Sequence, residues 1–280
     1  MATQIRRLTV VILAAALAAL AVAASLTLTG CGDEGATREA APTVAPTVET
    51  SQPSPSPAPT QTRQWSFRGQ RGITVAFPPA DLALYRSLVP APFEMPDTPL
   101  VAVAVVYYYD VTLPLTPYRE GYVVLQCKYQ GRTGWYVLTM PVDDETANAG
   151  GRSLGFPKYV ADEIDLAEGD GVWSGRVVYQ GRSVMQVTFT PQAGSKPVTN
   201  SSSEPGTPVF LLVPPGEGPQ VNEVNNDLVG ERRTVTTSGA ASVEADPGES
   251  WAGLLPAGGV AAWASLEEMT GDWVLVPTQH

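Results

Sequence analysis

Runs rich in β-branched and aromatic residues recur between residues 73 and 276, and most are bounded by Gly or Pro. Such runs predict strands, because these side chains suit a pleated and partly buried surface. Helical patterns are fewer, and they predict short helices at residues 81–88, 144–150 and 260–269. The predicted strands are residues 73–77, 100–109, 121–129, 135–140, 172–179, 183–190, 209–213, 232–237 and 273–276.

Two copies of the motif Tyr-Gln-Gly-Arg connect strand-like runs, one from Tyr129 to Arg132 and one from Tyr179 to Arg182. A Gln-Gly pair between two strands is typical of a tight hairpin, because Gly accepts the positive φ that such turns require. Many strands with few short helices predict a mainly β (α+β) fold. We expect a closed or strongly curved antiparallel sheet with the helices at its periphery.

The first 30 residues have the pattern of a bacterial lipoprotein signal. Arg6 and Arg7 precede an apolar run over residues 8–28, and the run leads into Leu28-Thr29-Gly30-Cys31. Cleavage before Cys31 would make this cysteine the lipid-carrying N-terminus of an extracytoplasmic, membrane-anchored protein. The alternative is an uncleaved membrane helix, since about 20 apolar residues can span a bilayer. The two small residues before Cys31 and the polar residues after it favour the lipoprotein.

Proline and small polar residues dominate residues 31–64, which carry no periodic apolar face. Such a segment cannot offset the entropy lost on ordering, so the composition predicts a disordered linker. The chain is therefore predicted to contain a signal peptide at 1–30, a lipidated cysteine with its linker at 31–64, and one folded domain at 65–280.

Charge and residue counts exclude several classes of function. Lys and Arg number 17 and Asp and Glu number 28, which gives a net charge of −11 and argues against a nucleic-acid partner. His280 is the only histidine, so a histidine-dependent triad or a histidine-ligated zinc site is not expected. Cys31 and Cys127 are the only cysteines. If Cys31 carries lipid, Cys127 has no disulfide partner, and its apolar strand predicts an inert buried thiol.

Lys158 is the best candidate for chemistry, and it is one of only three lysines, with Lys128 and Lys196. It follows the run Gly151-Arg152-Ser153-Leu154-Gly155-Phe156-Pro157, in which proline restricts the backbone and aromatic residues supply apolar surface. A neutral lysine amine can attack a ketone to form a Schiff base, and an apolar setting favours the neutral form. The alternative is a solvated turn lysine, because most lysines are exposed.

The segment around Lys158 resembles the acetoacetate decarboxylase family. The resemblance rests on residues 118–120, 143–145, 151–152 and 155–158, and weaker similarity at 88–93 and 254–277 extends it to about residues 65–280. It implies a β-barrel-like or cone-shaped core with peripheral helices, often in oligomers. It also implies Schiff-base chemistry on a small keto acid, with no metal or organic cofactor.

The resemblance also assigns roles to other residues. Glu120 would handle protons or position groups, and Arg71 would recognise the substrate carboxylate. Three positions depart from the family: Tyr159 stands where it has a second lysine, Ser153 where it has a glutamate, and Ala104 where it has a strand carboxylate. These departures leave open an altered substrate, or another carbonyl reaction such as an aldol or dehydration step.

Two classes of function remain open from the sequence. The first is a lysine-dependent enzyme, with decarboxylase-like lyase activity on a small β-keto acid or a related carbonyl compound. The second is a non-catalytic extracytoplasmic lipoprotein that holds such a ligand in the same pocket. A purely structural surface protein is the remaining alternative. Placement of Lys158, Glu120 and Arg71 in one pocket would favour the enzyme.

Overall fold

The computed structural model describes residues 66–202, 207–213, 220–228, 232–259 and 263–279. All of them lie in the compact unit Gln64–His280. The predicted signal peptide, the lipidation site Cys31 and the predicted linker lie outside the described residues. Within the described ranges, no helix has both the length and the apolar character needed to cross a bilayer.

The described residues are mainly β, with two α-helices and two 3₁₀ turns at Ala252–Leu254 and Ala257–Gly259. The helices are α1 (Leu82–Leu88) and α2 (Glu145–Leu154). The strands are β1 (Ser66–Phe77), β2 (Val101–Val111), β3 (Tyr118–Tyr129), β4 (Arg132–Val142), β5 (Lys158–Val160), β6 (Glu163–Gly169), β7 (Val172–Tyr179), β8 (Arg182–Pro191), β9 (Val198–Ser202), β10 (Val209–Val213), β11 (Gln220–Leu228), β12 (Arg232–Ala245) and β13 (Trp263–Gln279).

These strands form one large sheet in the order β1-β2-β3-β4-β10-β11-β13-β12-β8-β7-β6, with β5 beside β4 and β9 beside β12. Strand β1 pairs with β2 and also with β13. The pairings β4–β10 and β4–β5 are parallel, so the predicted antiparallel sheet is corrected to a mixed one. Closure of the sheet into a barrel stays a prediction.

The helix predicted at residues 260–269 is wrong, because residues 263–269 belong to strand β13. Ala and Leu in this segment suit a helix, but the side chains alternate between two faces. Ala264 and Leu266 pack with one apolar cluster and Met269 packs with another. Pairing of β13 with β1, β11 and β12 decides in favour of the strand.

The two repeated motifs form the predicted hairpins. Gln130 and Gly131 have φ of 50° and 76°, and Gln180 and Gly181 have φ of 52° and 72°. Positive φ at both central residues is the signature of a type I′ turn. The flanking residues pair directly in both copies, which fixes the register of β3 with β4 and of β7 with β8.

Two apolar clusters lie on opposite faces of strands β1 to β3. The first cluster includes Ile73 and Leu125, and strands β7 and β8 pack over it with Val177 and Val187. The second cluster lies on the other face and includes Phe67, Tyr118, Val142, Phe156 and Trp273. Because side chains alternate along a strand, each residue of β1 to β3 faces one cluster or the other. The face of the second cluster is called the Lys158 face below, because it carries the candidate site.

Candidate active site

Helix α2 determines where Lys158 lies. The Asp144 carboxylate caps the helix by accepting from Ala147 N at 2.7 Å, and Gly155 ends it with φ of 97°. A left-handed residue is favourable here because glycine has no Cβ to clash. The chain then turns through Phe156 and Pro157 and enters β5 at Lys158.

Several backbone contacts fix Lys158 at this position. Its N–H donates to Phe156 O at 2.8 Å, and the Arg152 guanidinium donates to its carbonyl at 3.1 Å. Strand β5 pairs in parallel with β4, with Lys158 opposite Met140. The lysine is only 7% exposed. The side chain is therefore held in the interior and does not extend into solvent.

Gly151 provides the space through which the Lys158 side chain passes. A Cβ at Gly151 would overlap Cδ and Cε of Lys158. Gly151 is buried in α2, where glycine is unfavourable for the helix by about 1 kcal/mol relative to alanine. This helix position therefore allows the close approach of the lysine.

The buried partner of Lys158 is Glu120 of β3, which is 3% exposed. Lys158 Nζ donates directly to Glu120 Oε2. Two aromatic rings flank the amine: the Tyr118 centroid lies 5.3 Å from Nζ and the Phe156 centroid lies 5.8 Å from it. A charged ammonium is attracted to the faces of such rings. A carboxylate in contact with the amine can take its proton and return it.

Tyr108 of β2 completes the surroundings of Glu120. Its hydroxyl lies 3.5 Å from Glu120 Oε1, at the long limit of a hydrogen bond. Its ring stacks on Tyr118 with centroids 4.8 Å apart and planes at 25°. Burial, followed by the charge of Glu120, raises the pKa of both Tyr108 and Tyr118 well above 10. Both hydroxyls therefore keep their protons and act as donors at neutral pH.

Arg71 lies apart from this pair. Its guanidinium donates to Glu268 Oε2 at 2.9 Å and lies 5.7 Å from the centroid of Trp173. Arg71 precedes Ile73 by two residues, so alternation places both on the face of the first cluster. The structure thus brings Lys158 and Glu120 together and leaves Arg71 on the opposite face. This placement does not support the predicted contact of Arg71 with a substrate at Lys158.

Cys127 of β3 packs in the first cluster, on the face opposite Lys158. Burial raises the pKa of the Cys127 thiol to about 12, so it is a poor nucleophile. Among the described residues, no three His, Cys, Asp or Glu side chains are arranged to hold a metal ion. The chemistry available at the site is that of an amine, a carboxylate and two phenols.

Comparison with known proteins identifies the family. The model of the acetoacetate decarboxylase (ADC) family matches residues 44–252, which is more than half of the chain. The chain belongs to the acetoacetate decarboxylase family.

Acetoacetate decarboxylase 3 of Mesorhizobium japonicum is 41% identical over 85 residues, or 30% of this chain and 32% of the relative. The acetoacetate decarboxylase of Ralstonia nicotianae is 39% identical over 82 residues, or 29% and 32%. The matched region thus spans about a third of these curated relatives.

Solved structures share the fold at low sequence identity. An acetoacetate decarboxylase structure has a TM-score of 0.61 at 19% identity, over 78% of this chain and 88% of the other. The acetoacetate decarboxylase of Legionella pneumophila has a TM-score of 0.59 at 19% identity, with the same coverage. The enduracididine biosynthesis enzyme MppR, complexed with pyruvate, has a TM-score of 0.58 at 16% identity, over 77% and 90%.

The three departures from the family lie in different surroundings. Tyr159 points away from Lys158 and packs on Tyr179, with ring centroids 4.6 Å apart. Ser153 is exposed on α2 and donates to Gly150 O at 2.6 Å. Ala104 is fully buried and lies opposite Tyr122 on the Lys158 face. Of the three, only Ala104 places an apolar side chain on the Lys158 face where the family resemblance implies a carboxylate.

Sequence reasoning missed Tyr108, Tyr118 and Gly151 as parts of the site. One signal for Tyr118 was present: Tyr118, Glu120 and Tyr122 alternate along β3, which places them on one face. The contact of Tyr108 with Glu120 depends on the pairing of β2 with β3. The role of Gly151 depends on how α2 packs against β5, which no local pattern predicts.

Proposed function

We propose that this protein uses Lys158 to form a Schiff base with a small β-keto acid or a related carbonyl compound. The observation that carries the proposal is the buried contact of Lys158 with Glu120 between aromatic rings. Family membership supports it, as does the pyruvate complex of a protein with the same fold. The pairing of β1 with both β2 and β13 further suggests a closed or cone-like sheet around this site.

The first step would be proton transfer from the Lys158 ammonium to Glu120. The neutral amine then attacks the ketone carbon, and a carbinolamine forms as the carbonyl oxygen takes up a proton. Loss of water gives an iminium that joins Nζ to the former carbonyl carbon. The buried site favours these steps because little water competes for the amine or the carboxylate.

Decarboxylation would follow from the electron demand of the iminium. The bond between the α-carbon and the carboxylate breaks, its electron pair moves toward the iminium nitrogen, and carbon dioxide leaves. The enamine that remains takes a proton at carbon from Glu120, and water then hydrolyses the iminium to release the ketone and the free amine. The same enamine could instead react with an aldehyde, which is the aldol alternative.

The tyrosines would support Glu120 and shape the pocket. The Tyr108 hydroxyl would donate to Glu120 when the carboxylate is charged and so hold its orientation. The Tyr118 and Phe156 rings would exclude water from the amine and stabilise the positive iminium nitrogen.

The test is carbon dioxide release from 3-oxobutanoate, measured before and after treatment with borohydride. The wild-type protein should release carbon dioxide, and borohydride should abolish this activity only when the keto acid is present. Lys158→Met should show no activity. Lys128→Met is the matched control, because Lys128 pairs at the surface with Asp97 at 2.9 Å and lies outside the site. Its activity should equal that of the wild type.

Ligand binding without turnover is the second candidate, and Ala104 favours it. A family carboxylate is absent at that buried position, and its loss would weaken proton transfer during carbon–carbon cleavage. A borohydride-trapped adduct at Lys158 without carbon dioxide release would select this candidate or an altered reaction. Absence of any adduct would refute the Schiff-base proposal.

We also propose that the domain is held at the extracytoplasmic side of a membrane by lipid on Cys31. The support is the sequence Leu28-Thr29-Gly30-Cys31 after an apolar run. The proposed partners of the chain are then the membrane, reached through the lipid, and a small carbonyl ligand. Assembly into a homo-oligomer is proposed only from the family resemblance.

A further inference from the structure

A second group of polar side chains lies on the Lys158 face, on strands β12, β13 and β3. Ser265 of β13 is fully buried and donates to Glu267 Oε1 at 3.0 Å. Tyr122 of β3 shares a hydrogen bond with Thr74, and the charges of both Glu267 and Glu120 raise its pKa beyond the effect of burial. Tyr122 therefore lies close to both glutamates and links the two polar groups.

The strand register places Glu267 and Glu120 on the same face. Glu267 lies opposite Gly72 of β1, Gly72 lies opposite Val106 of β2, and Val106 lies opposite Glu120 of β3. Three strand spacings separate the two glutamate backbones by about 14 Å along the sheet. Gly72 has no side chain, and the Val106 side chain packs against it, so the residues between the two polar groups are small and apolar.

Arg232 of β12 belongs to this face as well. Thr236 lies opposite Glu267 and Thr234 lies opposite Met269, which packs in the second cluster. Arg232 precedes Thr234 by two residues, so alternation directs it to the same face. Its neighbour Arg233 is exposed and alternates to the other face.

The Arg232 guanidinium is not fully partnered. Its Nε is buried and has no hydrogen-bond partner, and among the described residues it is the only such nitrogen of a cationic side chain. Five other arginines form ion pairs with acidic side chains: Arg68, Arg71, Arg119, Arg132 and Arg182. A buried donor without a partner is destabilising, and more so on a charged group, so an anion at this point would be bound favourably.

Glu267 is the acidic neighbour whose charge acts on Arg232. Burial raises the pKa of Glu267, and Ser265 and Arg232 oppose that rise. Burial lowers the pKa of Arg232, but a guanidinium remains protonated at neutral pH. The charge of Glu267 opposes the fall in the pKa of Arg232, and the Arg232 Nε is still left without a hydrogen-bond partner.

We propose that Arg232 binds the carboxylate of the keto acid whose carbonyl reacts at Lys158. This inference rests on the proposed Schiff-base chemistry and replaces the role first predicted for Arg71. Arg232 lies on β12, next to β13, and Gly72 and Val106 separate Glu267 of β13 from Glu120 of β3. The favoured substrate class is therefore a keto acid that carries a carboxylate several bonds from the reacting carbonyl.

The test compares adduct formation at Lys158 with charged and neutral carbonyl compounds. The probes are 3-oxobutanoate, the longer 5-oxohexanoate and the neutral 2,4-pentanedione, each titrated and trapped with borohydride. In Arg232→Gln, the half-saturating concentration of 5-oxohexanoate should rise by about 10-fold or more, as for loss of a charge-assisted contact. Trapping of the neutral diketone should stay within about twofold of wild type. Arg233→Gln should match the wild type with all three probes.

Each other outcome counts against the proposal. Equal titrations of 5-oxohexanoate by wild type and Arg232→Gln would overturn it. An equal loss with acid and diketone would assign Arg232 a structural role and also overturn it. Wild-type trapping of the diketone but neither acid would refute the carboxylate site and leave the chemistry of Lys158 standing. Absence of trapping with every probe would refute the Schiff-base chemistry and the Arg232 proposal together.

Discussion

At the residue scale, the Lys158–Glu120 pair combines two opposing effects. Removal of both charges from water is unfavourable, and the direct contact between them compensates only while both partners are present. Loss of one partner leaves a buried charge alone. Arg71 and Glu268 form a useful contrast, because their side chains are 41% and 42% exposed and solvent screens their attraction.

We expect Lys158→Met to lower the free energy of unfolding by roughly 3–5 kcal/mol, because Glu120 loses its buried cation. The double variant Lys158→Met/Glu120→Gln should be more stable than Lys158→Met alone, with a coupling of roughly 1–3 kcal/mol in a double-mutant cycle. Urea denaturation at a single pH measures both quantities. The matched cycle with Arg71→Met and Glu268→Gln should give a coupling of about 1 kcal/mol or less. Additive effects at Lys158 and Glu120 would contradict the account of this pair.

At the element scale, the packing of α2 against β5 sets the path of the Lys158 side chain. Gly151 leaves room for Cδ and Cε, and these atoms belong to the flexible part of the lysine. A methyl group at this position would therefore displace the amine more readily than it would displace the helix.

Gly151→Ala should accordingly impair chemistry without unfolding the protein. Displacement of the amine by about 1 Å should slow adduct formation with a keto acid by about 10²-fold. The better helix propensity of alanine, worth about 1 kcal/mol, should offset the strain. Ser153→Ala in the same helix is the control, because Ser153 is exposed and its hydroxyl donates to the helix backbone at Gly150 O. An unchanged adduct rate in Gly151→Ala would show that the position of the Lys158 amine does not depend on the space left by Gly151.

The elements also differ in how far the sequence predicted them. The hairpins at Gln130-Gly131 and Gln180-Gly181 follow from local turn chemistry, and both are confirmed. Strand β11 was not predicted because its Asn and Asp residues lack an apolar pattern, and β13 was read in part as a helix because of its alanines. Pairing with distant strands determines both. For the same reason the contact of Glu120 with Lys158 followed only from the family resemblance, and no local pattern predicted that Arg71 lies on the opposite face.

At the scale of the whole molecule, an acidic domain is proposed to be attached to a membrane through its N-terminus. Removal of residues 1–30 takes away Arg6 and Arg7 and no acidic residue, so the mature charge would be 15 − 28 = −13. Such a charge is repelled by anionic lipid surfaces. Stable attachment would then depend on the lipid on Cys31 and not on basic residues.

Expression with a labelled fatty acid tests this attachment. The label should enter the wild-type protein and should be absent from Cys31→Ala, which should be found in the soluble fraction. Mass spectrometry of the purified wild-type protein should show cleavage before Cys31. A mature protein that retains residues 1–30 and carries no lipid would contradict the lipoprotein proposal.

The most direct measurement of the central claim is peptide mapping after borohydride reduction in the presence of a keto acid. The chain has only Lys128, Lys158 and Lys196, so each lysine falls in a distinguishable peptide. Lys128 is paired with Asp97 and Lys196 is exposed, and both lie outside the site, so both should remain unmodified. We predict that the added mass of the reduced adduct appears on Lys158 alone. Equal modification of the three lysines, or none at Lys158 across several keto acids, would contradict the account.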